Sequence, residues 1–220
     1  MRTRSRTVPA VSHRAARRPW LRTALGVTAL VLFFAAVLVV IAALAFSVRV
    51  SGHSMEPTLA DGDRLLVNPF GSDDVARFDI VETTLGDREI PLVKRVIGMP
   101  GDRVRADADG TAPVVRVRPA GSDREYVVDN PTWAGRVGAK TQPCCAADGT
   151  TVQGTTEPGW VTVPDGHYWV VGDNWGGSDD SRTFGFVAAD QVKARISFRI
   201  RPFGDFGRLE DDVRLVPATP

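Results

Sequence analysis

The chain has 220 residues, 43% of them hydrophobic, and its 27 Lys and Arg nearly balance its 26 Asp and Glu. That length fits one globular domain plus an anchor. The formal charge of +1 hides an asymmetry, because seven arginines (Arg2, Arg4, Arg6, Arg14, Arg17, Arg18 and Arg22) precede the apolar run and leave the rest acidic, which argues against a nucleic-acid partner.

Residues 1–22, basic and broken by Pro9, Ser12 and Pro19, read as a disordered cytoplasmic tail. A nucleic-acid arm is the alternative, and the next segment argues against it. From Thr23 to Val48 no residue is charged, and Ala24–Phe46 is nearly all Ala, Val, Leu, Ile and Phe. As a helix this core spans about 35 Å, enough for a hydrocarbon layer of ~30 Å. Residues 23–47 are therefore read as a single-pass transmembrane anchor, with Trp20 at the interface. Arginines on the N-terminal side alone predict a cytoplasmic N-terminus and an exported remainder. Ala43-Leu44-Ala45 has the small-x-small pattern of a processing site, but the run exceeds the ~7–15 residues of a signal-peptide core, which favours retention.

Immediately beyond lies Ser51-Gly52-His53-Ser54-Met55-Glu56-Pro57-Thr58-Leu59. Gly two residues before Ser54 and Pro three residues after it predict a sharp turn that projects the hydroxyl, as a nucleophile requires. An ordinary Ser/Gly/Pro turn is the bland alternative. His53 adjoins Ser54 and invites a Ser/His/Asp triad, yet neighbours on an extended segment point to opposite faces.

From Val48 onward short strands alternate with Gly, Pro and Asp turns. Arg64–Val67, Phe78–Val81, Ile90–Ile97, Val114–Val117, Tyr126–Val128, Trp160–Val163, Tyr168–Val171 and Ala194–Ile200 read as strands, and no long 3.6-residue period appears. The fold class is all-β over residues 48–210, preceded by one helix. Within Leu92–Asp102 a lysine, Lys94, interrupts an apolar run. The chain otherwise prefers arginine, its other lysines being Lys140 and Lys193. Arginine cannot give up its proton, whereas a lysine in an apolar pocket can become a neutral base. A surface strand lysine beside Arg95 is the alternative.

Residues 105–160 are richer in Gly, Pro, Thr and Asp and read as a variable insertion carrying Cys144-Cys145. A bridge between neighbouring cysteines closes a strained ring, so a reducible vicinal pair or two free thiols stay open, and no zinc pattern surrounds them. His167 follows Asp165-Gly166 and reads as a turn residue. Gly172-Asp173-Asn174-Trp175-Gly176-Gly177-Ser178-Asp179-Asp180-Ser181-Arg182-Thr183-Phe184-Gly185 is a polar, glycine-dense loop able to orient an amine by a hydroxyl and to brace itself by an Asp/Arg pair. Arg199–Arg208 mixes arginines with aromatics, as a solvated strand end or a membrane-facing patch would. Residues 211–220 read as a C-terminal tail.

Taken together, SGHSMEPTL, VKRVIGMPGD and GDNWGGSDDSRTFG resemble the bacterial type I signal peptidases, membrane-bound Ser/Lys endopeptidases that remove signal peptides from exported proteins. The resemblance extends from the apolar run to Phe186, with a poorly matching middle. It implies a signal-peptidase-like β catalytic domain, Ser54 as nucleophile, Lys94 as general base and Ser178 as the hydroxyl that orients the lysine. Asp173, Asp180 and Arg182 match residues that support the site. Some relatives place a Ser two residues before the nucleophile in the oxyanion hole; here that position is Gly52, which leaves the Ser54 backbone N–H as the donor to name. Met55, Leu59 and Val93 are candidates for lining shallow substrate pockets.

The expected partners are preproteins bearing signal peptides, with small residues at the first and third positions before the cut, together with membrane lipid and nearby export machinery. The expected location is the plasma membrane. The dyad chemistry requires no metal or organic cofactor. Another membrane-tethered Ser/Lys maturation peptidase, or an inactive membrane-anchored β scaffold, is the competing reading.

Overall fold

The computed structural model describes residues 19–68, 74–85, 90–109, 112–133, 159–209 and 212–218. His13, Cys144 and Cys145 lie outside them. The chain divides into two compact units, residues 1–44 and 45–220.

The first unit contains helix α1, Pro19–Ala45. Beyond Arg22 in its first turn the helix carries no charged residue, so its surface from Thr23 to Ala45 is uninterruptedly uncharged. Leu25, Phe33, Leu38 and Val39 are each more than 60% exposed, the opposite of a helix buried in a soluble core. Its 23-residue segment Thr23–Ala45 is apolar and long enough to cross a bilayer.

The second unit is built almost wholly of antiparallel strands. Strands β1 (Ser47–Arg49), β2 (Arg64–Asn68), β3 (Ile80–Thr83), β4 (Leu92–Gly98), β5 (Arg103–Asp109), β6 (Ala112–Arg118) and β7 (Tyr126–Asp129) come first. They are followed by β8 (Val161–Thr162), β9 (His167–Val171), a single helical turn α2 (Ser181–Phe184) and β10 (Val187–Ala188). The chain closes with β11 (Val192–Arg201), β12 (Gly207–Arg208) and β13 (Arg214–Pro217). One sheet has the order β1-β2-β11-β3-β4-β9-β10, with β12 added to β11; a second runs β13-β7-β6-β5-β8.

The pattern of each strand follows from which faces it must cover. In β11, Val192, Ala194 and Ile196 are buried while Lys193 and Arg195 turn outward, the alternation of a half-covered strand. Strand β4 is buried continuously from Lys94 to Gly98 because both of its faces are covered. On one side Val81, Val96 and Val170 pack together; on others Ile97 joins Trp169, Val104 and Val117 where the two sheets meet, and Val93 packs with Met55, Leu59, Leu65 and Ile80.

Two stretches differ from their sequence expectation. The described part of 105–160 supplies much of the second sheet, with Val115, Val117, Val128 and Trp133 buried in the shared core. The expected tail at 211–220 carries β13, whose Leu215 and Val216 face Val128 and Val127 across a regular ladder. A short Arg-Leu-Val-Pro run is legible as a strand only when its partner β7 is in view.

Candidate active site

Ser54 sits on the turn between β1 and β2. Gly52 starts the turn at φ +95°, in the left-handed region that favours glycine, and its N–H donates to Asp61 Oδ1 at 2.9 Å. The turn is held from below by Met55 and Leu59, which are 1% and 0% exposed. Inside the turn, Leu59 N–H donates to the Met55 carbonyl at 2.9 Å. These anchors fix the backbone and leave Ser54 half-buried at the surface of the core.

Lys94 reaches Ser54 from β4, its Nζ 2.7 Å from Ser54 Oγ. The side chain is 1% exposed. Burial lowers its pKa from 10.5 to about 8, and Arg182 acts in the same direction; Asp180, Asp179 and Asp173 oppose the shift without reversing it. When protonated the ammonium donates to Ser54 Oγ; once neutral, its lone pair can receive the hydroxyl proton across the same distance.

The glycine-rich loop closes the site from the other side. Asn174 clamps the nucleophile turn twice, its N–H donating to the Ser54 carbonyl at 3.0 Å and its Nδ2 to the His53 carbonyl at 2.9 Å. A methyl group on Gly172 would overlap both Ser178 Oγ and the Ser54 carbonyl oxygen, so glycine is what lets the loop lie against the nucleophile turn. Asp173 is fully buried and accepts from Arg95 Nε at 2.9 Å, Arg95 Nη2 at 2.8 Å and Asn130 Nδ2 at 3.3 Å. It also accepts from Thr58 Oγ1, which ties this carboxylate to the far end of the nucleophile turn. Asp180 accepts from Arg182 Nε and Nη2, each at 2.8 Å, and from Gly172 N–H at 3.0 Å. Burial works to raise the Asp180 carboxyl, but Arg182 and these hydrogen bonds overcome it and hold the acid below the usual carboxylate range. Arg182 in turn stacks 4.0 Å over the Trp175 ring.

The structure thus places Ser54 and Lys94 in contact and puts Asp173, Asp180 and Arg182 in the loop beneath them. Ser178 is placed differently from expectation. Its hydroxyl is buried and makes no hydrogen bond of ordinary geometry, so it does not hold the Lys94 amine here; its looser approach is to Asp180. Met55 and Val93 line a cavity of about 80 Å³ that also contains Ser54. Leu59 does not line it, because the turn rotates that side chain into the core with Leu65 and Ile80. Among the described residues no hydrogen bond uses the Ser54 N–H.

His53 turns away from the nucleophile. Its Nδ1 lies 2.7 Å from Glu56 Oε1 on an exposed side chain, and that hydrogen bond raises its pKa. His167, expected in a turn, instead opens β9 opposite Ala188, its Nδ1 2.9 Å from the carbonyl of Asp165 in the preceding turn. Arg95, Asn130, Thr58, Gly172 and Asn174 had no assigned role in the sequence reading. Arg95 was visible only as a charge within an apolar run, and the others looked like ordinary loop residues.

Comparison with known proteins accords with this geometry. The model of the family described as signal peptidase, peptidase S26, matches residues 22–201. Signal peptidase I of Bacillus caldolyticus is 36% identical over 161 residues, covering 71% of this chain and 80% of its own length. Signal peptidase I of Streptococcus pneumoniae serotype 4 is 34% identical over 178 residues, covering 73% and 84%. Signal peptidase IB of Staphylococcus aureus is 32% identical over 167 residues, covering 71% and 78%. With a buried lysine against a turn-borne serine, and with a family match running through both, the chain belongs to the signal peptidase family, peptidase S26.

Proposed function

We propose that this chain is a membrane-anchored serine endopeptidase that removes signal peptides from exported preproteins. The observation that carries the reading is the 2.7 Å contact between Ser54 Oγ and a lysine amine whose pKa burial has brought down to about 8. A serine hydroxyl is a weak nucleophile until a base takes its proton, and Lys94 is placed to do so. Attack by Ser54 Oγ on the scissile carbonyl forms a tetrahedral oxyanion, for which the unengaged Ser54 N–H is the donor we assign. Lys94 then delivers the proton to the departing amine. Neutral Lys94 next takes a proton from water as the water attacks the ester carbonyl and returns that proton to Ser54 Oγ, so the acyl group leaves as a carboxylic acid and the hydroxyl is regenerated. Ser178, a buried hydroxyl with no firm bond of its own, is assigned to steady the amine as its proton moves. Asp173, Asp180 and Arg182 hold the loop against the nucleophile turn.

Topology supports an extended substrate. Strand β1 is the free edge of its sheet, and Leu92–Lys94 of β4 precede the point where β9 begins pairing at Arg95. Both segments border the cavity beside Ser54, so a peptide can add a strand there and direct alternate side chains toward Met55 and Val93. The N-terminal arginines assign the tail to the cytoplasm and the β domain to the other side, facing lipid and the export machinery. Protease added outside intact spheroplasts should therefore digest the β domain. The inactive-scaffold alternative is disfavoured by a buried lysine on a serine, an arrangement that destabilises a fold with no use for it.

Detergent-solubilised full-length chain incubated with a preprotein tests the reading. Wild type cuts after the signal peptide, and Ser54→Ala and Lys94→Ala do not. Equal cleavage by all three overturns it.

A further inference from the structure

The cavity beside the nucleophile has one carboxyl in its lining, that of Glu82, and the dyad does not use it. Glu82 lies in the middle of β3, directly opposite Val93 of β4 and Ala194 of β11. Strand alternation puts its side chain on the face of Ile80, which packs with Met55, and not on the face of Val81 and Thr83. The same cavity of about 80 Å³ is lined by Ser54, Met55, Val48, Val93, Arg49 and Glu82. The carboxyl is half-buried, and among the described residues no hydrogen bond or opposite charge engages it; burial alone pushes its pKa up. Nor does it belong to the charges that act on Lys94, which are Asp180, Asp179, Arg182 and Asp173.

A pocket meant only to accept small apolar side chains has no use for such a group. A half-desolvated carboxyl without a partner destabilises the strand that carries it, whereas valine or isoleucine would pack at no such cost. The observation points to a partner that arrives with the substrate. In an extended peptide, successive side chains on one face lie about 6.6 Å apart. Ser54 marks the place of the residue preceding the cut. The next side chain directed into the cleft is the third, and it meets the lining that the first leaves free.

We propose that Glu82 is a specificity-determining residue that accepts a hydrogen bond from the third residue before the cut, so that this enzyme prefers a small hydroxyl side chain there over an apolar one. This rests on the peptidase reading above. A site built around a polar group rejects an analogue that leaves the group unpaired, and a half-exposed acceptor makes that discrimination about tenfold. A serine side chain suits a cavity of about 80 Å³, shared as it is with the first position.

The experiment measures kcat/KM of the detergent-solubilised full-length chain on signal peptides that differ only at the third position, Ser or Val, with a parallel pair differing at the first. Wild type should favour the third-position Ser peptide about tenfold. Glu82→Val should abolish or invert that ratio, and Glu82→Gln, which keeps a carbonyl acceptor, should retain part of it. The first-position ratio should be the same in all three. A third-position ratio unchanged by both substitutions overturns the inference while leaving the peptidase reading standing. So does an effect confined to the first position. Wild type that cuts none of the peptides overturns both.

Discussion

Replacing Lys94 by methionine should make the protein inactive and more stable. Folding moves this amine into an environment where its pKa is about 8 in place of 10.5, so the folded chain binds the proton more weakly than the unfolded chain does. Between those values the unfolded state holds more protons, and stability rises with pH; the penalty is complete below pH 8 and gone above pH 10.5. Its size at pH 7 is about 3 kcal/mol. Methionine, unbranched and one atom shorter, fills most of the same space without a charge, at the loss of one hydrogen bond to Ser54 worth about 1 kcal/mol. The net gain is about 2 kcal/mol, a rise in Tm of roughly 4–8 °C for a domain of this size. Tryptophan fluorescence on heating reports it directly, since Trp133, Trp169 and Trp175 are all buried in the shared core. Lys94→Met should be the more stable at pH 7, lose that advantage as pH rises, and be the less stable by about 1 kcal/mol above pH 10.5, where only the lost hydrogen bond remains. A variant no more stable than wild type at pH 7, or a gain independent of pH, refutes the claim that this fold holds a desolvated lysine.

The remaining predictions concern rate and packing. Cleavage should climb about tenfold per pH unit and level off above about pH 8, because neutral Lys94 is the competent form; burial raises that form at pH 7 about 300-fold over an ordinary lysine. In the same assay Lys94→Arg should be as inactive as Lys94→Ala, since a guanidinium cannot accept the proton, while His53→Ala keeps most activity because His53 faces Glu56 and solvent. An active Lys94→Arg paired with a dead His53→Ala would sink the Ser/Lys assignment. Gly172→Ala should reduce kcat more than tenfold and lower Tm, as its methyl collides with both Ser178 Oγ and the Ser54 carbonyl oxygen and forces the loop off the nucleophile turn; unchanged kinetics would mean the loop has slack that the packing denies. Arg95→Ala should destabilise by about 3–5 kcal/mol by stranding the buried Asp173 carboxylate, seen as a fall in the urea midpoint.

The local chemistry was legible in the chain itself. An uncharged run from Thr23 to Val48 can only be a long apolar helix or a core, and its length decided for a span. Period-two apolar runs between Gly, Pro and Asp turns announced strands, and Ser54 and Lys94 stood out because a Gly-x-Ser turn and one of only three lysines, set in an apolar run of an arginine-rich chain, are local facts. Lysine pKa, by contrast, belongs to a neighbourhood. Only the folded structure surrounds Lys94 with apolar strands and sets three carboxylates and Arg182 at distances where burial still prevails. Side-chain direction within a turn was equally beyond reach: Met55 and Leu59 are four residues apart, yet one borders the cleft and the other is wholly core. Arg95 looked like a neighbour of the base and proved to brace Asp173, because β-strand alternation sends it to the opposite face from Lys94. The end of the chain gave no signal, since a strand as short as Arg214–Pro217 is stabilised by its ladder with β7 and by little in its own residues. Sequence determines what depends on neighbours along the chain; the partners of a buried charge are chosen by contacts between strands far apart in it, and those exist only once the sheets have closed.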